Sequence, residues 1–309
     1  MSVLEVSELY KSFADVRAVD GVTFEIEAGE IFGLLGPNGA GKSTTINMIA
    51  TLLVPDRGAV TINGIGLSQS AAYKRRIGYV PQEISLSDKL TARENLSLIG
   101  RLYDLSGAWL RARVGEMLEA VGLTDRADDC VGTFSGGMKR RLNIACGLLH
   151  EPELVLMDEP TAGVDPQARA YIFETVQRLA KSGRAILYTT HYMEEAQRLC
   201  RRTAIIDHGR ILALGTLPEL IQVVNAQREL VIRAENMTKD RISRLADRLG
   251  AAWQLNEQEA RLNVSNSDHT LFDAVRAADE TGLHPSSITI REPNLETVFL
   301  ELTGRALRD

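Results

Sequence analysis

The sequence predicts an α/β protein in two parts, with a larger part built on a parallel β-sheet and a small α+β domain behind it. In the first part, short apolar runs typical of buried strands alternate with helical patterns, as in sheets whose strands are joined by helical crossovers. A block of helical periodicity at about residues 90–147 interrupts this alternation. The composition shifts after Gln222, so we expect one domain over residues 1–222 and another over residues 225–309.

The elements of the first domain follow from local patterns. Residues 1–32 alternate apolar and polar side chains around Val22, Phe24 and Ile26, which predicts β-structure. Residues 33–64 predict a strand, a glycine-rich loop, a helix and a short strand. After the helical block, apolar runs predict strands at Leu154–Met157, Ala185–Thr190 and Thr203–Ile206.

The second domain is predicted from the order of its elements. Strands are expected at Glu229–Arg233, Ala252–Leu255, Arg261–Val264 and Ser287–Arg291, and helices at Lys239–Leu249, Thr270–Thr281 and from Leu295 onward. This order, βαββαβ, is that of ferredoxin-like domains. In the last helix, an apolar face at helical spacing is formed by Leu295, Val298, Phe299 and Leu302. We expect this face to lie in the domain's own core rather than against a partner protein.

Composition and charge narrow the function classes. The formal net charge of −6 argues against a protein that coats nucleic acid, because phosphate neutralisation needs an excess of Lys and Arg. Three widely spaced cysteines indicate a reducing compartment rather than a disulfide framework. We find neither a signal-peptide pattern nor an apolar run near the roughly 18 residues that a membrane span needs. A cytoplasmic protein is expected, whose membrane role, if it has one, depends on a partner.

The strongest local signal is a glycine-rich loop between the apolar run Ile31–Leu35 and an amphipathic helix. This phosphate loop matches the pattern GxxxxGK[ST] and consists of Gly36, Pro37, Asn38, Gly39, Ala40, Gly41, Lys42, Ser43 and the following Thr44. Its glycines let successive backbone N–H groups point at phosphate oxygens, and the helix N-terminus adds a favourable dipole. Lys42 supplies a charge for the β- and γ-phosphates, and Ser43 a hydroxyl for Mg²⁺. The loop predicts a nucleotide site.

Two adjacent carboxylates, Asp158 and Glu159, follow the buried run Leu154–Met157. Carboxylates at the tip of a buried strand are costly unless a cation or substrate uses them. In an ATPase with a phosphate loop, Asp158 would hold Mg²⁺ through its water shell, and Glu159 would orient and deprotonate the attacking water. An ordinary acidic turn is the alternative for this pair taken alone.

A second anion-binding helix N-terminus is predicted at Ser135, Gly136 and Gly137. Together with the phosphate loop and the two carboxylates, it resembles the ATP-binding subunit of ABC transporters, whose signature is LSGGQ. Phe134 replaces the usual Leu and Met138 the usual Gln. The resemblance covers residues 1–220 and implies a head-to-tail dimer, in which each signature caps the γ-phosphate held by the partner's phosphate loop.

The same resemblance implies roles for further residues. Gln82 matches the glutamine that contacts Mg²⁺ or water and relays the nucleotide state to the membrane subunit. His191 matches the histidine that touches the γ-phosphate, and Asp165 lies in the segment at the dimer interface. Phe13 falls where the family stacks an aromatic ring on adenine, with Tyr10 as a nearby alternative.

The resemblance implies an ATP-binding and ATP-hydrolysing subunit of a transporter. The tail resembles the accessory domain of drug-resistance-type ABC exporter ATPases, most clearly from Pro293 to Arg305. We therefore expect an exporter ATPase with ATP and Mg²⁺, acting as a dimer, preferably of identical chains, under a polytopic membrane permease on the inner face of the cell membrane. The alternatives are an importer ATPase, or a soluble ABC ATPase acting on ribosomes or nucleic acid.

Three short basic runs, Arg75-Arg76, Lys139–Arg141 and Arg201-Arg202, do not change this expectation. Each is shorter than the clusters of five to eight residues that indicate nucleic-acid binding. We expect them to be solvated helix faces, and we expect no nucleic-acid partner.

Overall fold

The computed structural model describes residues 2–256, 259–264 and 271–304. These residues form two compact units, which divide after Thr216. The predicted domain boundary lies further along the chain, at residue 222. The helix Leu217–Val223 belongs to the second unit and contacts the helix Leu295–Thr303 of that unit.

The first unit is built from alternating strands and helices. Its strands are β1 (Ser2–Phe13), β2 (Val16–Glu27), β3 (Ile31–Leu35), β4 (Arg57–Ile62), β5 (Ile65–Gly66), β6 (Ile77–Val80), β7 (Leu154–Asp158), β8 (Ala185–Thr190), β9 (Arg202–Asp207) and β10 (Arg210–Gly215). Its α-helices are α1 (Lys42–Ile49), α2 (Ser70–Lys74), α3 (Ala92–Leu102), α4 (Gly107–Ala120), α5 (Gly136–Leu148), α6 (Pro166–Lys181) and α7 (Met193–Leu199). The predicted strands are present: β8 has the expected bounds, β7 is one residue longer at its end, and β9 is one residue longer at each end.

The central sheet has the strand order β10-β9-β3-β8-β7-β6. Its strands from β9 to β6 are parallel, and β10 pairs antiparallel with β9 at one edge. All residues of β3, β7 and β8 are buried, which explains their nearly continuous apolar sequences. The predicted parallel α/β sheet is therefore confirmed.

Both faces of the central sheet are covered. One face packs against α1 and an antiparallel sheet of order β2-β1-β4-β5, with Phe24 stacked on Phe32 at a ring distance of 5.0 Å. The other face packs against the predicted helical block and α6. In that block α3 begins with a capping box of Thr91 and Glu94, which satisfies two backbone donors at the helix start.

The interpretation of the basic runs as solvated helix faces is wrong at Arg140 and at Arg202, and the run Arg75-Arg76 lies in a turn after α2 rather than in a helix. Arg140 is only 3% exposed, because α5 is buried between the sheet and its neighbouring helices. Its guanidinium donates to the carbonyl oxygens of Pro81 and Gln82 at 2.7 and 2.6 Å. Arg202 lies in a strand rather than a helix and donates two hydrogen bonds to Glu30, at 2.7 and 2.9 Å. Both arginines therefore serve internal contacts.

The second unit contains α8 (Leu217–Val223), β11 (Arg228–Ala234), α9 (Lys239–Leu249), β12 (Ala252–Leu255), β13 (Ala260–Val264), α10 (Leu271–Glu280), β14 (Pro285–Arg291) and α11 (Leu295–Thr303). Its strands pair antiparallel in the order β12-β13-β11-β14. The helices α9 and α10 pack on the sheet through residues such as Ile242 and Ala278. This is the predicted ferredoxin-like order, and the predicted helix start Thr270 and the residue Arg305 lie outside the described residues.

The apolar face of α11 is covered within the single chain. Leu295, Val298 and Phe299 are buried, Leu302 is half-buried, and α11 contacts α8. We expected this face in the core of the second domain. It is buried and α11 contacts α8 of the same unit, but these residues lie outside the apolar cluster formed by α9, α10 and the sheet. Among the residues described, no helix has the length and apolar character required to cross a membrane.

Candidate nucleotide-binding site

Four neighbouring strands of the central sheet end at one edge, and each is followed by a predicted site segment. The phosphate loop follows β3, and Gln82 follows β6. Asp158 ends β7, with Glu159 directly after it, and His191 follows β8. Because the carboxyl ends of parallel strands lie at the same edge, residues far apart in sequence meet there.

The phosphate loop has a curled backbone that its glycines allow. Gly41 has a φ of +105°, and a Cβ atom at this position would lie 2.5 Å from the carbonyl oxygen of Ala18. A Cβ atom on Gly36 would lie 2.2 Å from the carbonyl oxygen of Ile206. A side chain at either position would clash with backbone, so the loop needs glycine at both.

Lys42 lies at the start of α1 and is 4% exposed. Its ammonium group donates to the carbonyl oxygens of Gly36 and Pro37 at 2.8 and 3.1 Å, within its own loop. It also forms an ion pair with Glu159, with 3.2 Å between Nζ and Oε1. A buried cation held by exchangeable carbonyl and carboxylate contacts is suited to bind phosphate oxygens in their place.

Ser43 and Asp158 face each other across the site, with Oγ 3.3 Å from Oδ1. Thr189, on β8, donates to the same Oδ1 at 2.6 Å and accepts from the backbone N–H of Glu159 at 3.0 Å. Burial, followed by the charge of Asp158, raises the pKa of the nearby Tyr79 hydroxyl to about 12. The start of α1 and the end of β7 thus present one hydroxyl and one oriented carboxylate side by side.

Glu159 is the residue at which the predicted catalytic side chains converge. Its Oε2 lies 3.1 Å from Nδ1 of His191 and 3.5 Å from Nε2 of Gln82. Glu159 is 6% exposed and has a φ of +44°, an unusual conformation for a residue that is not glycine. Strained residues of this kind are found at active sites when the surrounding structure holds them in place.

The signature segment lies at the N-terminus of α5, where Ser135 is the N-cap and Gly136 the first helical residue. Ser135 caps the helix by accepting from the backbone N–H of Met138 at 3.3 Å. A Cβ atom on Gly136 would meet no atom within 4 Å, whereas one on Gly137 would lie 2.8 Å from Cβ of Ala168. Within the described ranges, no hydrogen bond or ion pair joins Ser135, Gly136 or Gly137 to the phosphate loop.

Asp165 lies beside the signature segment rather than at the phosphate loop. Its side chain caps α6 by accepting from the backbone N–H of Ala168 at 2.9 Å. Its other oxygen would lie 3.2 Å from a Cβ atom built on Gly137, so the starts of α5 and α6 are close-packed.

Phe13 ends β1 and is 48% exposed, with the ammonium group of Lys11 5.7 Å from its ring centroid. An exposed ring is free to stack on a planar ligand. Tyr10 instead donates from its hydroxyl to Glu8 at 2.9 Å. The structure thus leaves the ring of Phe13 the more available of the two.

Sequence reasoning missed three residues that support this site, namely Thr189, Arg140 and Glu195. Thr189 orients both carboxylate residues, and its place directly before Thr190 and His191 was an available signal. Arg140 fixes the backbone of Gln82 from α5, but nothing in a run of three basic residues distinguishes it. Glu195 is buried among hydroxyl groups, which a local sequence pattern does not reveal.

Comparisons with known proteins identify the family. The model of the ABC transporter family matches residues 19–162. The linearmycin resistance ATP-binding protein LnrL of Bacillus subtilis is 43% identical over 99% of this chain and 100% of its own length. The Nod factor export ATP-binding protein I of Ralstonia nicotianae is 39% identical over 99% of this chain and 95% of its own.

A solved structure of an ATP-binding subunit of an ABC transporter superposes with a TM-score of 0.67 at 36% identity, covering 72% of this chain and 94% of that one. The curated relatives match nearly the whole chain at identities well above those that show only a fold. This chain therefore belongs to the ABC transporter family, as an ATP-binding subunit that hydrolyses ATP.

Proposed function

We propose that this chain is the ATPase subunit of an ABC exporter of the drug-resistance type, that it works as a dimer with ATP and Mg²⁺, and that it drives a separate membrane subunit. The convergence of Lys42 and His191 on Glu159, at 3.2 and 3.1 Å, carries the catalytic part of this proposal. The relatives named for resistance and for export favour an exporter over an importer, which the ATP-site residues do not distinguish.

Mg²⁺ fits the residues at the start of α1 and the end of β7. The hydroxyl of Ser43 and the carboxylate of Asp158, 3.3 Å apart, are oxygen ligands of the kind Mg²⁺ prefers, and nucleotide phosphates and waters complete such sites. Gln82, tied to Glu159 at 3.5 Å, is proposed to contact the same ion or its water. When bound, Mg²⁺ neutralises charge on the β- and γ-phosphates.

The protein's own side chains would then carry out hydrolysis. Lys42 would exchange its loop carbonyls and Glu159 for phosphate oxygens, which frees the carboxylate. Glu159 would take a proton from the attacking water, and His191 would hold Glu159 and contact the γ-phosphate. Phe13 is proposed to stack on the adenine ring.

In a dimer, the signature segment of one chain could bind the ATP held by the other chain. In the part of the chain that the structure describes, no hydrogen bond or ion pair joins this helix N-terminus to the phosphate loop. A Cβ atom on Gly136 would meet open space, and a helix start attracts anions. We propose that Ser135, Gly136 and Gly137 bind the γ-phosphate held by the partner chain, with Asp165 at the same interface.

Gly136→Asp tests the dimer without disturbing the fold. A Cβ atom at this position meets no atom within 4 Å, and an acidic residue in the first turn suits the helix dipole. We expect Glu159→Gln protein to sediment as a dimer with ATP and as a monomer without it, and the double variant with Gly136→Asp to stay monomeric. Dimers of unchanged stability in the double variant would contradict binding in trans, and Gly136→Ala is the control.

The membrane partner is tested by affinity capture of tagged Glu159→Gln protein from gently solubilised native cells with ATP. A stoichiometric polytopic membrane protein is expected, because this variant should hold the closed, ATP-bound state. Such a partner would place the chain on the inner face of the cell membrane. Recovery of ribosomal proteins or nucleic acid without a membrane protein would contradict the transport proposal. The matched control carries Lys42→Ala as well.

A further inference from the structure

A buried carboxylate outside the proposed catalytic set lies behind the site. Glu195, on α7, is 2% exposed, and its oxygens accept from three hydroxyl groups. Thr161 donates at 2.7 Å to Oε1, while Tyr188 and Thr190 each donate at 3.0 Å to Oε2. A carboxylate with this many buried donors is strongly held in one orientation.

The donors come from the segments that carry the two central residues of the site. Thr161 follows Glu159 by two positions, and Thr190 directly precedes His191. Thr190 also accepts from the backbone N–H of Tyr192 at 2.9 Å, so its hydroxyl is tied on the far side of His191 as well. Glu195 thus bridges the segment after β7 and the end of β8, which directly precedes His191.

Glu195 is held mainly by hydrogen bonds from hydroxyl groups and only weakly by an ion pair. Burial, followed by the charge of Glu195, raises the pKa of Tyr188 well above its ordinary value, so this hydroxyl stays protonated and donates. The side chain of Arg169 approaches Glu195 only to 3.6 Å and is 39% exposed. The hydrogen bonds from the three hydroxyl groups, rather than the ion pair with Arg169, therefore fix the orientation of the Glu195 carboxylate.

We infer that Glu195 is a positioning residue that sets the separation between Glu159 and His191. This inference rests on the proposed roles of those two side chains, which lie 3.1 Å apart. The backbone of Glu159 has an unusual conformation, which persists only where the surrounding structure holds it. The hydrogen bond from Thr161 to Glu195 restrains the loop that follows Glu159 and so helps to hold it.

The test uses the hydroxyl groups, since removing Glu195 would leave three buried donors without an acceptor. Thr190→Val keeps the shape and removes the hydroxyl, whereas Thr190→Ser keeps the hydroxyl. We expect Thr190→Val to lower kcat by about 10–100-fold with KM for ATP little changed, and Thr190→Ser to retain turnover. Thr161→Val, at the other end of the bridge, should also lower kcat, and the two Val changes together should be less than additive.

In a His191→Ala background, Thr190→Val should have no further effect, because its consequence passes through His191. Equal loss in Thr190→Ser and Thr190→Val, wild-type kcat in either Val variant, or an undiminished effect in the His191→Ala background would overturn the inference.

A failure of the proposed function is recognised separately, as a wild-type chain without ATPase activity or a His191→Ala variant with full turnover. In that case a crystal structure of the Thr190→Val variant tests the positioning role of Glu195 independently of ATPase activity. A separation of His191 Nδ1 and Glu159 Oε2 beyond 3.1 Å would support the positioning role, and an unchanged separation would reject it.

Discussion

Replacing Glu159 by Gln should slow ATP hydrolysis by about 10²–10⁴-fold while leaving ATP bound. The amide has nearly the same shape as the carboxylate and fits the buried position next to Lys42 and His191. It cannot accept a proton from water, so the loss falls on kcat rather than on affinity. Steady-state turnover and equilibrium binding of a fluorescent ATP analogue measure the two quantities.

The control for this change is Glu174→Gln, which removes a carboxylate from an exposed position on α6. Its turnover should equal that of the wild-type protein. Wild-type turnover in Glu159→Gln itself would remove this residue from the role of base. Loss of ATP binding in Glu159→Gln would instead indicate that the carboxylate is needed to order the phosphate loop.

Lys42→Ala should weaken ATP binding by about 10²-fold, because the ammonium group is the buried cation of the phosphate loop. The same change leaves Glu159 buried without its ion-pair partner, 3.2 Å away in the wild-type protein. Removing one partner of a buried pair costs about 3 kcal/mol or more of stability, so the free energy of unfolding should fall as well. Titration calorimetry and urea unfolding separate these two effects.

The double variant Lys42→Ala/Glu159→Gln distinguishes the structural role of Lys42 from its role in binding. Glutamine carries no charge, so stability should recover in part while ATP affinity stays low. Recovery of affinity together with stability would show that Lys42 acts only by neutralising Glu159. Undiminished ATP affinity in Lys42→Ala alone would count against the phosphate-binding role.

The sequence predicted the elements of both units well where a single local signal was strong. The phosphate loop follows β3 and continues into the first turn of α1 as expected, and β8 has the predicted bounds. The predicted helix Lys239–Leu249 also has those bounds, because Thr238 caps its start and Gly250 ends it in a left-handed conformation.

Local sequence patterns did not predict the contacts between segments that are distant in the chain. Arg140 was expected on a solvated helix face, yet it donates to the carbonyl oxygens of Pro81 and Gln82. Burial lowers the pKa of its guanidinium, which nevertheless stays charged because arginine begins so far above neutral pH. A run of basic residues has the same appearance in sequence whether the helix behind it is buried or exposed.

The residue types of the proposed site and their order along the chain can be read from the sequence, because a phosphate loop is recognised by glycine, lysine and hydroxyl groups at fixed spacing. The convergence of Lys42 and His191 on Glu159, and the bridge through Glu195, arise from the neighbouring parallel strands β3, β8 and β7. Which strands become neighbours depends on burying all of their apolar side chains at once. Whether all of these side chains can be buried together depends on the whole chain, so the sequence of one segment does not predict which strands are neighbours.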